Sequence, residues 1–228
     1  MSSGCPFPCD RIFAVEDGPS GFDLDHLVHV AKTRFAVLAK IAQVGAVRTL
    51  FDDTTGRLSV AAPGQRDFHG LLTEEPGRAA FAVWLTQFLG PAAEGPLRVI
   101  AAPDGHRFLD NPNGQVSIVN LASVRDLATR MGHRLDPLRF RANLYVEGWP
   151  AWAENDSIGK ILRLGDAQAR VLKPIVRWAA TGVDPETALR DLDPVRALLY
   201  HLGHAWCGVY VQVTGTRVAS DGDTAETI

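Results

Sequence analysis

Three short segments decide how the fold of this chain is interpreted: Arg139-Phe140-Arg141-Ala142-Asn143, Lys173-Pro174-Ile175-Val176-Arg177-Trp178 and Thr181-Gly182-Val183-Asp184-Pro185. The residues between them form short runs rich in β-branched and aromatic side chains, which is typical of strands. We therefore predict strands at Asn143–Glu147, Lys160–Leu164 and Ala167–Leu172, with a turn at Gly165-Asp166 joining the last two.

The strand pattern continues on both sides of these segments. Val47–Phe51 and Arg57–Ala61 flank a run of turn-forming residues, which predicts a hairpin. Further strands are predicted at Arg11–Val15, Leu97–Ala101, Val116–Val119, Val209–Val213 and Arg217–Ala219. Many short strands at close spacing indicate a barrel or a sandwich, so we predict a mainly β fold.

Three segments show helical spacing of their apolar residues instead: Gly77–Leu89, Ala122–Met131 and Pro194–Leu202. Pro63–Phe68 and Pro103–Asn113 are predicted to be loops, and the polar tail Ser220–Ile228 is predicted to fray. The character of the chain changes near residue 100. We therefore predict an N-terminal region (1–100) and a C-terminal core (101–228) that pack as one unit.

Composition excludes several functional classes. The chain has 228 residues, of which 46% are hydrophobic and 21% charged, which is ordinary for a globular protein. Its 23 basic and 26 acidic residues give a net charge of -3, so the basic excess of nucleic-acid-binding proteins is absent. The longest apolar stretch is too short to span a membrane, and we expect no membrane partner. Three cysteines and no secretory signal predict a cytoplasmic protein.

The common sequence fingerprints of catalysis are missing. We find no G-x-G-x-x-G, G-x-x-x-x-G-K-[ST], H-E-x-x-H or G-x-S-x-G motif. Dinucleotide-dependent enzymes, P-loop nucleotidases, zinc metalloproteases of this type and α/β-hydrolases are therefore disfavoured.

The three opening segments resemble the MOSC family, named for the C-terminal domain of the molybdenum-cofactor sulfurase. Its amidoxime-reducing members and their bacterial counterparts carry R-F-R-P-N, K-P-C-x-R-C and T-x-V-D-P in the same order. Weaker similarity lies around the early strand Asp10–Val15, at Lys32-Thr33-Arg34 and at Leu121-Ala122-Ser123-Val124. The resemblance implies a MOSC-type β-barrel with a few flanking helices.

The resemblance also implies a site for the molybdenum cofactor, molybdopterin, whose terminal phosphate needs cationic or N–H donors. Arg141 and Asn143 would be its main contacts, with Lys32 and Ser123 as weaker ones. A surface or rim salt bridge is the alternative role for Arg141. The remaining candidates are Arg177, Trp178, Thr181 and Asp184. Arg177 could instead pair with Asp184 or Glu186, and Asp184 could simply form a turn.

The metal position departs from the family pattern. The family binds molybdenum through the second cysteine of K-P-C-x-R-C, and that position is Trp178 here, with Ile175 at the first cysteine. An indole has one N–H donor and no ligand atom. We therefore predict no protein-held metal, and we expect Trp178 to fill the space of the metal. The cofactor is absent, is bound without a thiolate, or its site is reused.

Each of the other candidate residues could have either a functional or a purely structural role. Cys207 could be a catalytic persulfide carrier or an alternative metal ligand, or a small buried hydrophobe. The pairs His26/His29 and His201/His204 could contribute to a zinc site, the latter with Cys207, but standard ligand spacing is lacking. Cys5 and Cys9 could bind metal with a partner or be unremarkable thiols. Trp149 and Trp152 could line a ligand or partner surface, or seal a barrel end.

Two functional hypotheses follow. The first is a diverged MOSC protein that handles molybdopterin or its sulfur; if it is an enzyme, it would be an oxidoreductase or a sulfur transferase. The second is a non-catalytic accessory subunit of a larger enzyme that has lost the cofactor. The substrate and the oligomeric state are not encoded in any motif found.

Overall fold

A computed structural model describes residues 11–109, 114–214 and 219–228 of the chain. These residues form two compact units. The N-terminal unit comprises residues 11–109 and 186–189, and the C-terminal unit comprises residues 114–185, 190–214 and 219–228. The predicted strand Arg217–Ala219 lies partly outside the described residues. Cys5 and Cys9 lie wholly outside them.

The N-terminal unit combines two small antiparallel sheets with one helix. Its elements are β1 (Phe13–Asp17), β2 (Arg48–Asp52), β3 (Arg57–Ala61), β4 (Phe68–Leu71), α1 (Glu75–Leu89) and β5 (Leu97–Ala101). β1 pairs with β5, and β2-β3-β4 form a meander. Phe81, Trp84 and Leu85 of α1 pack into the core of this unit. The predicted hairpin is confirmed, and Asp52 closes its turn by accepting hydrogen bonds from the Thr54 and Thr55 amides.

The C-terminal unit is built on a six-stranded sheet. Its elements are β6 (Val116–Asn120), α2 (Leu121–Met131), β7 (Leu144–Val146), β8 (Ile161–Leu164), β9 (Ala167–Val176), α3 (Pro194–Leu202), β10 (Trp206–Val213) and β11 (Ala225–Thr227). The strand order is β11-β8-β9-β10-β6-β7, and only β6 and β7 run parallel. The fold is therefore rich in sheet with few helices, as predicted. In the described residues the sheet is open, with β7 and β11 at its edges, so the closed barrel remains a prediction.

Local sequence explains the helix ends in this unit. Asn120 caps α2 by accepting a hydrogen bond from the Ala122 amide, and Gly132 ends it in the left-handed conformation. Asp193 caps α3 in the same way through the Arg196 amide, and Gly203 ends it. All three helices fall where they were predicted.

Two strands were missed. β4 begins at the end of the predicted loop Pro63–Phe68, and β11 lies in the tail that was predicted to fray. The tail is held because β11 pairs with β8, and the Trp149 indole donates a hydrogen bond to the Ala225 carbonyl over 2.8 Å. Long-range pairing therefore overrides the polar composition that suggested fraying.

Candidate functional site

The Arg139-to-Asn143 segment overlaps the end of a short 3-10 helix, Pro137–Phe140. Hydrogen bonds from buried side chains hold this helix in place. The Arg139 side chain is buried and donates two hydrogen bonds to the Asp191 carboxylate, over 2.7 and 2.8 Å. Its Nη2 also donates to Oδ2 of Asp184 over 2.7 Å. Hydrogen bonding from Arg139 lowers the pKa of Asp191. Arg139 thus ties the Thr181-to-Pro185 segment to the 3-10 helix.

Arg177 is a second buried anchor of the same helix. Its side chain lies inside the C-terminal unit, with the residue only 8% exposed. Nε donates to the Cys207 carbonyl and Nη1 to the Phe140 carbonyl, each over 2.7 Å. The guanidinium also lies 5.2 Å from the centre of the Phe140 ring. The alternative ion pair with Asp184 is not formed, because Asp184 binds Arg139 instead.

Arg141 follows the anchored helix and is exposed. It adopts the left-handed conformation, with φ 48° and ψ 48°, which is uncommon for a residue with a Cβ. The conformation ends the 3-10 helix and turns the chain towards β7. Arg141 is therefore a cation held at the surface by a fixed turn, in a position suited to an anionic ligand.

Asn143 is exposed next to it and is fixed by Ser117. Its Oδ1 accepts hydrogen bonds from the amide and the hydroxyl of Ser117, over 2.9 and 2.7 Å. In the described part of the chain, Nδ2 of Asn143 makes no hydrogen bond. One amide donor near Arg141 is thus available to a ligand.

Trp178 lies at the surface. The residue is 65% exposed, so its indole is not packed into the core, and its occupation of the metal's space stays a prediction. Val176 is 49% exposed and pairs across the sheet with Trp206, which is 38% exposed and stacks on His204 with ring centres 4.6 Å apart. An exposed apolar patch, Val176–Trp178–Trp206, therefore occupies the end of β9 and β10.

Thr181 and Lys32, two further candidates, each lie in a short 3-10 helix. Thr181 is buried, and its hydroxyl donates to the Trp178 carbonyl over 3.0 Å, which shapes the turn after β9. Lys32 is the half-buried first residue of a short 3-10 helix in the N-terminal unit.

Ser123 belongs to a buried polar network at the start of α2. Its hydroxyl donates to Oε2 of Glu154 and accepts from the Trp152 amide, over 2.9 and 2.8 Å. Asn120 donates to the same Glu154 oxygen over 2.9 Å, while Oε1 of Glu154 has no partner among the described residues. No motif in the sequence analysis pointed to Glu154. Its only local signal is a carboxylate two residues after an indole, which does not predict burial.

Cys207 is fully buried between Val119, Leu127 and Leu198. Burial raises the pKa of its thiol to about 12, which the nearby Arg177 opposes and Glu154 reinforces. Because the thiolate is the nucleophile and the metal ligand, this environment favours the buried-hydrophobe interpretation. Residues 11–109, 114–214 and 219–228 contain no group of three or more His, Cys, Asp or Glu that could hold a metal ion.

Trp149 and Trp152 are half-buried, and both indole N–H groups are occupied. Trp149 donates to Ala225 and Trp152 to Asp126, over 2.8 and 2.7 Å. Both therefore close off parts of the core, which agrees with the sealing alternative.

Comparison with known proteins gives two findings. A family model for the MOSC domain matches residues 105–226, more than half of the chain. Mitochondrial amidoxime-reducing component 1 from Mus musculus is 32% identical over 74 residues, a stretch covering 32% of this chain and 21% of that relative. The match thus spans about a fifth of the relative's length. The family resemblance drawn from the sequence is confirmed, while its weaker part before residue 105 remains a prediction. The described residues also include no helix long and apolar enough to cross a membrane.

Proposed function

We propose that this chain, which belongs to the MOSC domain family, binds a molybdopterin-type ligand through Arg141 without holding a metal on a protein thiolate. The observation that carries the proposal is the fixed, exposed, left-handed position of Arg141. By the resemblance, the supporting residues Arg139 and Arg177 match the family's motifs, and Trp178 stands at the metal position.

The phosphate end of such a ligand fits the residues present. A phosphate monoester is a dianion near neutral pH, and a guanidinium binds two of its oxygens in a planar fork. Arg141 is exposed, and Nδ2 of Asn143 supplies a second donor two residues later. Because Ser117 fixes the Asn143 side chain and the 3-10 helix fixes the Arg141 backbone, little of that freedom would be lost on binding, although the exposed Arg141 side chain would still be ordered.

The metal does not fit. Trp178 has no ligand atom, and the described residues offer no alternative cluster. Cys207 cannot replace the missing thiolate, because its thiol is fully buried and its pKa is raised to about 12. We therefore derive no chemical step through a metal, and we propose ligand retention or transfer as the activity. The low cysteine count supports a reducing, cytoplasmic setting.

Pterin analysis of the purified protein tests this proposal. The full chain is expressed in a host that makes the cofactor, and pterin is released by acid, oxidised and quantified by fluorescence against protein concentration. We expect pterin in the wild type and at least about a tenfold loss in Arg141→Ala, since a charge-assisted contact contributes about 1.5–3 kcal/mol. Arg134→Ala, an exposed arginine in the same unit, should behave as the wild type. Absence of pterin from the wild type would refute the proposal.

A second candidate function is favoured by the exposed patch Val176–Trp178–Trp206. Large exposed apolar side chains on one face are typical of protein interaction sites. An accessory subunit would use this patch to bind a larger enzyme. We expect a stoichiometric complex isolated from its native host to be lost in Trp178→Asp and kept in Leu50→Asp, which alters an exposed leucine of the N-terminal unit. A complex that survives Trp178→Asp would refute this alternative.

A further inference from the structure

Arg177 occupies a motif position next to the metal position, yet its side chain faces inward. Its neighbours Val176 and Trp178 are 49% and 65% exposed, whereas Arg177 is 8% exposed. This follows from the alternation of side chains at the end of β9. The Arg177 amide donates to the Ala205 carbonyl over 2.7 Å, which keeps the alternation in register past the last residue of β9. Arg177 therefore faces the interior of the C-terminal unit, whereas Val176 and Trp178 face the surface.

The Arg177 guanidinium joins three parts of the C-terminal unit. Its two hydrogen bonds reach the Cys207 carbonyl in β10 and the Phe140 carbonyl at the end of the 3-10 helix. Gly208 borders it: a Cβ there would clash with the Ile118 carbonyl oxygen and would lie 3.2 Å from Nη2 of Arg177. The end of the 3-10 helix is thus attached to two strands by one side chain.

The Phe140 carbonyl belongs to the peptide group that sets the backbone of Arg141. The carbonyl end of this peptide accepts from Arg177 over 2.7 Å, and its N–H end, on Arg141, donates to the Leu138 carbonyl over 3.1 Å. Two hydrogen bonds therefore fix the plane of the peptide. The orientation of that plane contributes to ψ of Phe140 and φ of Arg141, so the bond from Arg177 acts on the peptide that precedes the left-handed residue.

Burial of the Arg177 guanidinium is energetically unfavourable, which favours a role for this side chain beyond packing in the core. Burial away from water lowers the pKa of Arg177, although the Cys207 thiol and the phenols of Tyr210 and Tyr145 oppose the shift. Arg177 takes part in no ion pair within the described residues, and its Nη2 has no hydrogen-bond partner there. Burying a cation without a counter-ion costs several kcal/mol.

We propose that Arg177 is a positioning residue that orients Arg141 through the Phe140–Arg141 peptide. It does not contact the ligand. This role rests on the proposed function, because Arg141 is the residue that would bind the anionic end of the ligand.

Limited digestion with trypsin reports on Arg141 directly, because trypsin cleaves after arginine. Arg177→Met keeps an apolar stem and removes both hydrogen bonds. Below its melting temperature, we expect cleavage after Arg141 to be at least about tenfold faster in this variant than in the wild type, since local opening controls cleavage. Arg177→Lys keeps the cation but only one donor group, so it should show an intermediate rate. Cleavage after Arg66, an exposed arginine of the N-terminal unit, is the internal reference and should change less than about twofold.

The outcomes separate the two proposals. Unchanged cleavage after Arg141 in Arg177→Met, or equal acceleration after Arg66, overturns the positioning role. If Arg177→Met does not fold, an unchanged rate in a folded Arg177→Lys overturns it. Pterin content provides the second measurement: it should fall in Arg177→Lys, whose melting temperature is recorded in parallel. A wild type without pterin refutes the proposed function, and selective cleavage after Arg141 would then still support the positioning role.

Discussion

The buried and the exposed side chains of the three motif segments differ in the partners they have within the described residues. The buried side chains Arg139 and Arg177 bind carboxylates and carbonyls that hold the 3-10 helix in place. The side chains of Arg141 and Trp178, in contrast, are exposed. By the resemblance, Arg139 and Arg177 match the family's motifs, whereas buried Ile175 and exposed Trp178 stand at its two cysteine positions.

This difference teaches that a motif can be retained for structural reasons. Arg139 and Asp184 form an ion pair, so both can persist without any cofactor. Among the described residues Arg141 has no such partner, and its left-handed conformation carries a cost of about 1–2 kcal/mol. This strained, exposed cation is therefore the part of the motif that favours the proposed ligand binding.

The largest expected effect concerns the buried thiol of Cys207. In a chain whose Cys5 and Cys9 are replaced by serine, alkylation of Cys207 at pH 8 should be at least about a thousandfold slower in the folded protein than in denaturant. Burial raises its pKa from 9.0 to about 12, so very little thiolate forms. Mass spectrometry of timed samples measures the rate.

The same shift has a consequence for stability. Below pH 9 the thiol is protonated in both states, and between about pH 9 and 12 only the unfolded state loses the proton. The contribution of Cys207 to stability should therefore fall as the pH rises through this window. Rapid alkylation of the folded protein would show that the Cys207 thiol is accessible. This result would contradict the contrast between the buried and the exposed residues.

The next largest effect is on the free energy of unfolding. Arg139→Met should lower it by about 3 kcal/mol, because Asp184 and Asp191 lose their shared cation. Urea denaturation followed by circular dichroism measures the change. Arg163→Met is the matched control, since its pair with Glu226 is half-exposed on both sides, and it should cost less than about 0.5 kcal/mol. Equal losses in the two variants would show that Arg139 is no anchor.

A smaller effect of opposite sign is expected at Arg141. Arg141→Gly should raise the free energy of unfolding by about 0.5–1 kcal/mol, because glycine adopts the left-handed conformation without a Cβ clash. Pterin content should fall in the same variant. A loss of stability above about 1 kcal/mol would mean that the Arg141 side chain supports the fold.

Much of the fold was predictable because local signals agreed with it. The spacing of apolar residues placed the helices, and the turn-forming residues after Phe51 placed a hairpin. β11 was not predictable, since its pairing with β8 depends on residues more than fifty positions apart.

The motifs named candidate site residues but did not predict the orientation of their side chains. The motifs drew attention to Arg141, Arg177 and Trp178, but they gave no indication that Arg177 faces inward or that Trp178 is exposed. Both follow from the alternation at the end of β9, whose register is set by pairing with β10. The role of Glu154 could not be read either, because its partners Asn120 and Ser123 come from a distant part of the chain.

The central claim is that the chain binds a molybdopterin-type ligand although it has no thiolate to hold the metal. The ratio of molybdenum to pterin in protein from a cofactor-producing host tests this claim most directly. Metal is measured by inductively coupled plasma mass spectrometry and pterin by fluorescence, in the wild type and in Trp178→Cys. We predict pterin in both proteins, with molybdenum retained through desalting only in Trp178→Cys. Stoichiometric molybdenum that stays with the wild type through the same desalting would contradict the account.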